Sequence, residues 1–173
     1  MKKLLSAIIT LFLSLNYGAA FAATGVAVIK GTKEGSSVSG KVFLTDTTEG
    51  LKVSADLKGV LPGKHGFHIH ENGACGDEGK AAGGHYNPDK VSHGFLPKDG
   101  LSHAHAGDLG NIDVAQDGTG KLDAVLPGVT LTGGKYDVVG KAIILHEKED
   151  DFGQPTGNAG GRIGCGVIEV TNS

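Results

Sequence analysis

An all-β sandwich or barrel is the fold class this sequence predicts, and three observations predict it. Short apolar and β-branched runs recur along the chain, separated by Gly, Pro and Asp turn signals. Glycine accounts for 30 of 173 residues, more than twice the usual share of about 7%, and it is scattered rather than periodic. Helix caps and 3.6-residue apolar stripes are scarce.

The chain opens on a segment that does not belong to that fold. Lys2 and Lys3 precede an apolar run from Leu4 to Leu15, and Ala20-Phe21-Ala22 has the small-x-small form of a cleavage site. This is the pattern of a secretory signal peptide over residues 1–22, too short for a convincing membrane span. A retained N-terminal anchor is the alternative. The mature domain is then residues 23–173, with no membrane span after the leader.

The strands come next, in order. Val26–Ile29 and Val38–Leu44 are apolar runs. Leu51–Leu57 alternates apolar and polar residues, as a half-buried strand does. Turn signals at Lys33–Ser36 and Thr47–Gly50 separate these three at hairpin distance. Phe67–His70, Asn111–Ala115, Lys121–Leu126, Ala142–His146 and Gly166–Val170 complete the set, with Asp117–Gly120 as another turn. Two long connections interrupt them, Glu71 to Asp108 and Glu147 to Arg162. No domain boundary or internal repeat is visible.

Losing Lys2 and Lys3 takes the formal charge from −3 to −5. An acidic domain without a basic run is a poor nucleic-acid binder, because phosphate neutralisation supplies most of that affinity. Cys75 and Cys165 are the only cysteines. In an exported chain they are expected to form one disulfide; two buried thiols or two metal thiolates are the alternatives.

Half of the eight histidines fall between His85 and Asp108. Gly94, Pro97, Gly100 and Gly107 break that stretch too often for a helix or a long strand. A long loop of this kind is either disordered or functional, and a bound metal would order it. His85, His93, His105 and Asp108 make a closed shell of three nitrogens and one oxygen, which suits zinc. His103 competes with His105 on spacing alone. His68 and His70 stand two apart on a strand, so both rings leave the same face while Phe67 and Ile69 point into the core. A His-x-His pair is by itself a weak signal. His65 has the opposite parity to His68 and is expected to face inward, hydrogen-bonded to nearby backbone. His146 ends an apolar strand and is either a ligand or a surface histidine.

Taken in order, His68-Ile69-His70, Gly84-His85-Tyr86-Asn87-Pro88, His93-Gly94, His105 to Asn111, His146 to Asp151 and Gly157 to Ile168 closely resemble the copper,zinc superoxide dismutases, here of a secreted bacterial type. The resemblance covers essentially all of the mature chain. It implies an eight-stranded Greek-key β-barrel or sandwich, immunoglobulin-like, with two long functional loops, and dismutation of superoxide in the periplasm. It implies copper at His68, His70, His85 and His146, and zinc at His85, His93, His105 and Asp108, with His85 shared. It selects His105 over His103. Asp150 resembles the carboxylate that bonds one ligand of each metal, and Arg162 the arginine beside the copper, so that His85 and Arg162 are the catalytic residues. A Cys75–Cys165 bond would tie the metal loop to the last strand. The connection from Glu147 to Arg162 is shorter than in animal members and lacks their steering Glu/Lys cluster, which leaves Lys148 as the candidate steering lysine. The family contains both dimers and monomers, so a homodimer is possible. A metal buffer, an inactive chaperone-like domain and a mononuclear zinc hydrolase are the rivals; the last needs an open water position that three histidines and Asp108 would close.

Cleavage after Ala22 should give an exported protein whose mass corresponds to residues 23–173. Intact-mass spectrometry that found Met1 retained would refute the leader.

Overall fold

The computed structural model describes residues 22–172, so all of the expected leader except Ala22 lies outside the described residues. Eight antiparallel strands close into one barrel: β1 (Thr24–Gly31), β2 (Ser39–Thr47), β3 (Gly50–Lys58), β4 (Gly63–His70), β5 (Asp108–Val114), β6 (Gly120–Leu126), β7 (Ala142–His146) and β8 (Arg162–Asn172). Around the barrel they run β1-β2-β3-β6-β5-β4-β7-β8. Closure leaves no open sheet edge. The chain passes from β3 to β4, and from β6 to β7, without pairing those neighbours, which is the Greek-key crossover.

Period-two patterning explains the strands that face water on one side. On β3, Leu51, Val53, Ala55 and Leu57 are buried while Lys52, Asp56 and Lys58 are exposed. β4 and β7 break that rule. From His65 to His70 every residue of β4 is buried, as is every residue of β7. Their inward residues, Phe67, Ile69, Ile143 and Leu145, join the main core. Their outward residues lie beneath the loops: Ala142 and Ile144 pack with Ala82 and Cys165 in a small second cluster. Register places His68 opposite Ile144 and His70 opposite Ala142. His146, two residues beyond Ile144, therefore shares the outer face with both histidines.

All eight expected strands are present, β7 with the expected bounds and the others with one or both ends shifted. β4 starts at Gly63, four residues earlier than expected, because Lys64 and His65 extend its ladder with β5. Asp108 and Arg162 open strands rather than close loops. The long connections are thus residues 71–107 and 147–161. A third, residues 127–141, joins β6 to β7 and was not singled out from the sequence, although its Val129, Leu131 and Val138 are buried in the main core. The first connection is also less bare than expected: it holds a 3-10 turn at Lys80–Ala82 and a one-turn helix, α1 (Leu96–Asp99), where Pro97 occupies a first-turn position that tolerates it.

Cys75 and Cys165 are bonded, 90 residues apart in sequence. The bond fastens the loop after β4 to β8. Closing a chain segment this long restrains the unfolded state by roughly 4–5 kcal/mol in the chain-entropy model. A Cys75→Ser/Cys165→Ser variant should lose about that much in denaturant unfolding; a loss below about 1 kcal/mol would contradict it.

Candidate metal centre

The outer face of β4 and β7 presents imidazoles, and the loop after β4 folds back to add more. His85 forms a bridge with His70, and the Tyr86 amide donates to the Ile69 carbonyl at 2.9 Å. Asp108, at the start of β5, pairs with His68 across the ladder. Two four-residue groups result, each with donor atoms within 4.8 Å of one another: His68, His70, His85 and His146, and His85, His93, His105 and Asp108. His85 belongs to both. A third group, His68, His93 and Asp150, lies behind them. All of these side chains are buried.

The hydrogen bonds fix which nitrogen of each ring faces inward. His68 Nε2 donates to Asp150 Oδ2 at 2.8 Å, and His93 Nε2 to the same carboxylate at 3.0 Å. His70 Nδ1 donates to the Gly83 carbonyl at 3.0 Å. An imidazole that donates from one nitrogen offers a lone pair on the other. Those other nitrogens converge. His70 Nε2 lies 3.3 Å from His146 Nε2, and His68 Nδ1 is buried without a hydrogen-bond partner. His93 Nδ1 is 2.9 Å from Asp108 Oδ2 yet outside hydrogen-bond geometry. His85 Nδ1 and His105 Nδ1 approach Asp108 Oδ1 at 2.9 and 3.1 Å. His85 Nε2 is thus the nitrogen left for the His68, His70 and His146 side. Buried, unpaired lone pairs pointing at one another are costly unless a cation sits among them, so the donor sets fit metal ions.

Electrostatics at the site are set by burial and by the two carboxylates. Burial pushes His70 down to about 2, His146 to about 3 and His85 to about 4, with neighbouring imidazoles adding to the effect and hydrogen bonds opposing it. Burial alone would lower His93 as well, but Asp108 and Asp150 flank it and raise it to about 9. Burial would likewise raise both carboxyls; the imidazoles bonded to them instead hold Asp108 and Asp150 well below the ordinary carboxylate range. A metal ion taken up at His93 would therefore have to displace a proton.

Beside the first group a cleft of about 380 Å³ opens to solvent. Its lining includes His70, His85, His146, Thr156, Asn158 and Arg162. Arg162 is held by two carbonyls, its Nη1 donating to Gly79 and its Nη2 to Gly83, both at 2.6 Å. The Gly83 oxygen thus accepts from Arg162 and from His70 together. Gly157 closes the loop over the Asp150–His93 bond. Its φ of +78°, and the collision that a Cβ would make with Asp150 Oδ1, leave room for no other residue.

A family model described as copper/zinc superoxide dismutase matches residues 38–168. This chain belongs to that family. Extracellular Cu-Zn superoxide dismutases are among its relatives: one from Caenorhabditis elegans is 45% identical over 68% of this chain. Those from Drosophila melanogaster and Haemonchus contortus are 42% and 40% identical over 79% and 82% of it. The chain spans 55% of the length of the first and 78% and 79% of the other two. A crystal structure of the clock protein EA4 superposes with a TM-score of 0.76 at 34% identity, over 90% of this chain and 99% of that one.

Within this superoxide dismutase fold, every donor named from the motifs comes into one of the two groups. His103 stays outside, exposed, its Nδ1 bonded to Ser102 Oγ at 2.8 Å. His65 is buried, with Nδ1 2.9 Å from the His146 carbonyl and Nε2 2.8 Å from the Leu61 carbonyl. Sequence reading missed Thr156 and Asn158 at the cleft, and the role of Asn111. That side chain clamps the Asp150 backbone, accepting from its amide at 2.7 Å and donating to its carbonyl at 2.9 Å. Asn111 ends the Asp-Leu-Gly-Asn run, which was a signal for it. Nothing marked the Gly79 and Gly83 carbonyls, since a backbone acceptor leaves no trace in side-chain identity.

The metal-free protein should lose stability as pH falls from 6.5 towards 4. In that window unfolded His70, His85 and His146 take up protons that the folded state refuses, at up to about 1.4 kcal/mol per pH unit for each histidine. Above 6.5 the sign reverses for His93, whose folded form keeps its proton to about 9. Thermal unfolding of metal-free protein across pH 4–8 checks this, and an unfolding midpoint flat below 6.5 would contradict it.

Proposed function

We propose that this chain dismutates superoxide, with copper held by His68, His70, His85 and His146 and zinc held by His85, His93, His105 and Asp108. The observation that carries the reading is the membership of His85 in both donor groups. The overall reaction consumes two superoxide anions and two protons and yields dioxygen and hydrogen peroxide. Bound copper supplies the one-electron couple, and bound zinc a fixed positive charge.

The remaining work falls to this chain's own groups. Nitrogen-only donors on the copper side match the preference of Cu(II) for imidazole, and a carboxylate on the other side suits zinc. Asp150 holds His68 and His93 by their outer nitrogens and so sets the orientation of one ring in each group. His85 Nε2 faces the cleft-side donors and is the atom placed to hold and release a proton for peroxide formation. Arg162, pinned by Gly79 and Gly83, presents positive charge at the cleft. A net charge of −5 after leader removal repels the substrate at long range. Arg162 must therefore act within about a Debye length, roughly 8 Å at physiological salt.

The compartment proposed is the periplasm. The leader-like N-terminus, the Cys75–Cys165 bond and the extracellular relatives support export.

Protein reconstituted with copper and zinc should consume superoxide far faster than a His146→Ala variant. A wild type no faster than that variant would favour a metal store over an enzyme. Arg162→Ala should retain both metals, turn over several-fold more slowly and show a weaker salt dependence; an unchanged rate at low salt would remove the steering role.

A further inference from the structure

His93 lies in a stretch without ladder partners. From Asn87 to Phe95 the backbone makes one turn at residues 88–89 and no ladder, and side chains bond several of its amides and carbonyls. Asn87 bonds both the amide and the carbonyl of Val91. Asp108 Oδ2 accepts from the Gly94 amide at 3.0 Å and Asp99 Oδ2 from the Phe95 amide at 2.8 Å. The amide and carbonyl of His93 itself are taken by one residue of the other loop. Gln154 Oε1 accepts from the His93 amide at 3.0 Å, and Gln154 Nε2 donates to the His93 carbonyl at 2.9 Å.

The loop that carries Gln154 is folded tightly on itself. The Asp151 amide donates to the Gly157 carbonyl at 2.9 Å and the Gly157 amide to the Gly153 carbonyl at 2.6 Å. Asp151 also accepts from the Gly153 amide at 2.8 Å and from Asn158. Phe152 stacks along the His93 ring at 6.3 Å between centroids. His93 is therefore gripped from one short segment at its outer nitrogen by Asp150, along its ring by Phe152 and at its backbone by Gln154.

We propose that Gln154 is a positioning residue for zinc, pinning the backbone of His93 to the 147–161 loop so that the ring stands ready for the ion. The inference rests on the zinc assignment above. A ligand on an unladdered loop must be ordered when the metal binds, and that ordering weakens binding unless another contact has already imposed it. The two Gln154 bonds impose it without touching the metal. Coupling of this kind is reciprocal: zinc at His93 should also tighten the segment around Gln154, which leads directly into Thr156 and Asn158 at the cleft.

Gln154 is exposed, so substitution should leave folding intact. Zinc release into a chromogenic chelator should be about 10-fold faster from Gln154→Ala than from wild type, in the range found for outer partners of metal ligands. Gln154→Glu should also release zinc faster, because an anionic oxygen would face the His93 carbonyl. The unfolding midpoint of metal-free Gln154→Ala should stay close to that of the metal-free wild type, and the gain on adding zinc should shrink. Hydrogen exchange over residues 153–160 should slow on zinc binding in wild type but not in Gln154→Ala. Equal release rates would overturn the proposal, as would a midpoint loss of the same size with and without zinc. A wild type that takes up no zinc would overturn the zinc assignment itself, and the inference with it.

Discussion

The Asp150 carboxylate is the contact on which the two donor groups depend. It accepts from His68 on β4 and from His93 on the loop after β4, so one residue of a third segment sets two rings in opposite donor groups. A charged carboxylate this buried is stable only because both oxygens are occupied. Its backbone is held in turn by Asn111, and Gly157 passes so close that no side chain fits there. Barrel, first loop and second loop thus meet at one residue.

The barrel explains why the rest can be irregular. Its inward side chains supply the core, and closure ties every strand to two neighbours. The outer face of β4 and β7 is then free to carry polar groups, provided that something covers it. Residues 71–107 and 147–161 do so, and burial there pushes His70, His85 and His146 towards the neutral form that binds a metal. At His93 the flanking carboxylates of Asp108 and Asp150 outweigh that burial and favour a proton that an incoming ion would have to displace.

Strands and donors were legible in the sequence for a common reason: each is written in side-chain identity. Alternation along Leu51–Leu57 gave β3, and the parity of His68 and His70 gave a shared face. The donor shells were harder. Spacing alone could not choose between His103 and His105, and only the ordered motifs did so. The strand ends, the connection at residues 127–141 and the acceptors around Arg162 were not legible, because backbone ladders and carbonyl positions depend on tertiary register rather than on residue type. Gln154 and Thr156 escaped because a single polar residue in a loop carries no pattern until its partner is known.

The Gly83 carbonyl is one such hidden constraint. It is one oxygen serving two masters, the arginine at the cleft and the imidazole of His70. The guanidinium and the imidazole are consequently geared together: any drift of the turn at residues 79–83 displaces both in the same direction. What the two side chains require there is a position in space, not a kind of residue. The side chains of Lys80 and Ala81 are exposed, whereas changing the number of residues between Cys75 and Gly83 would shift the Arg162 charge and the His70 ring at a stroke.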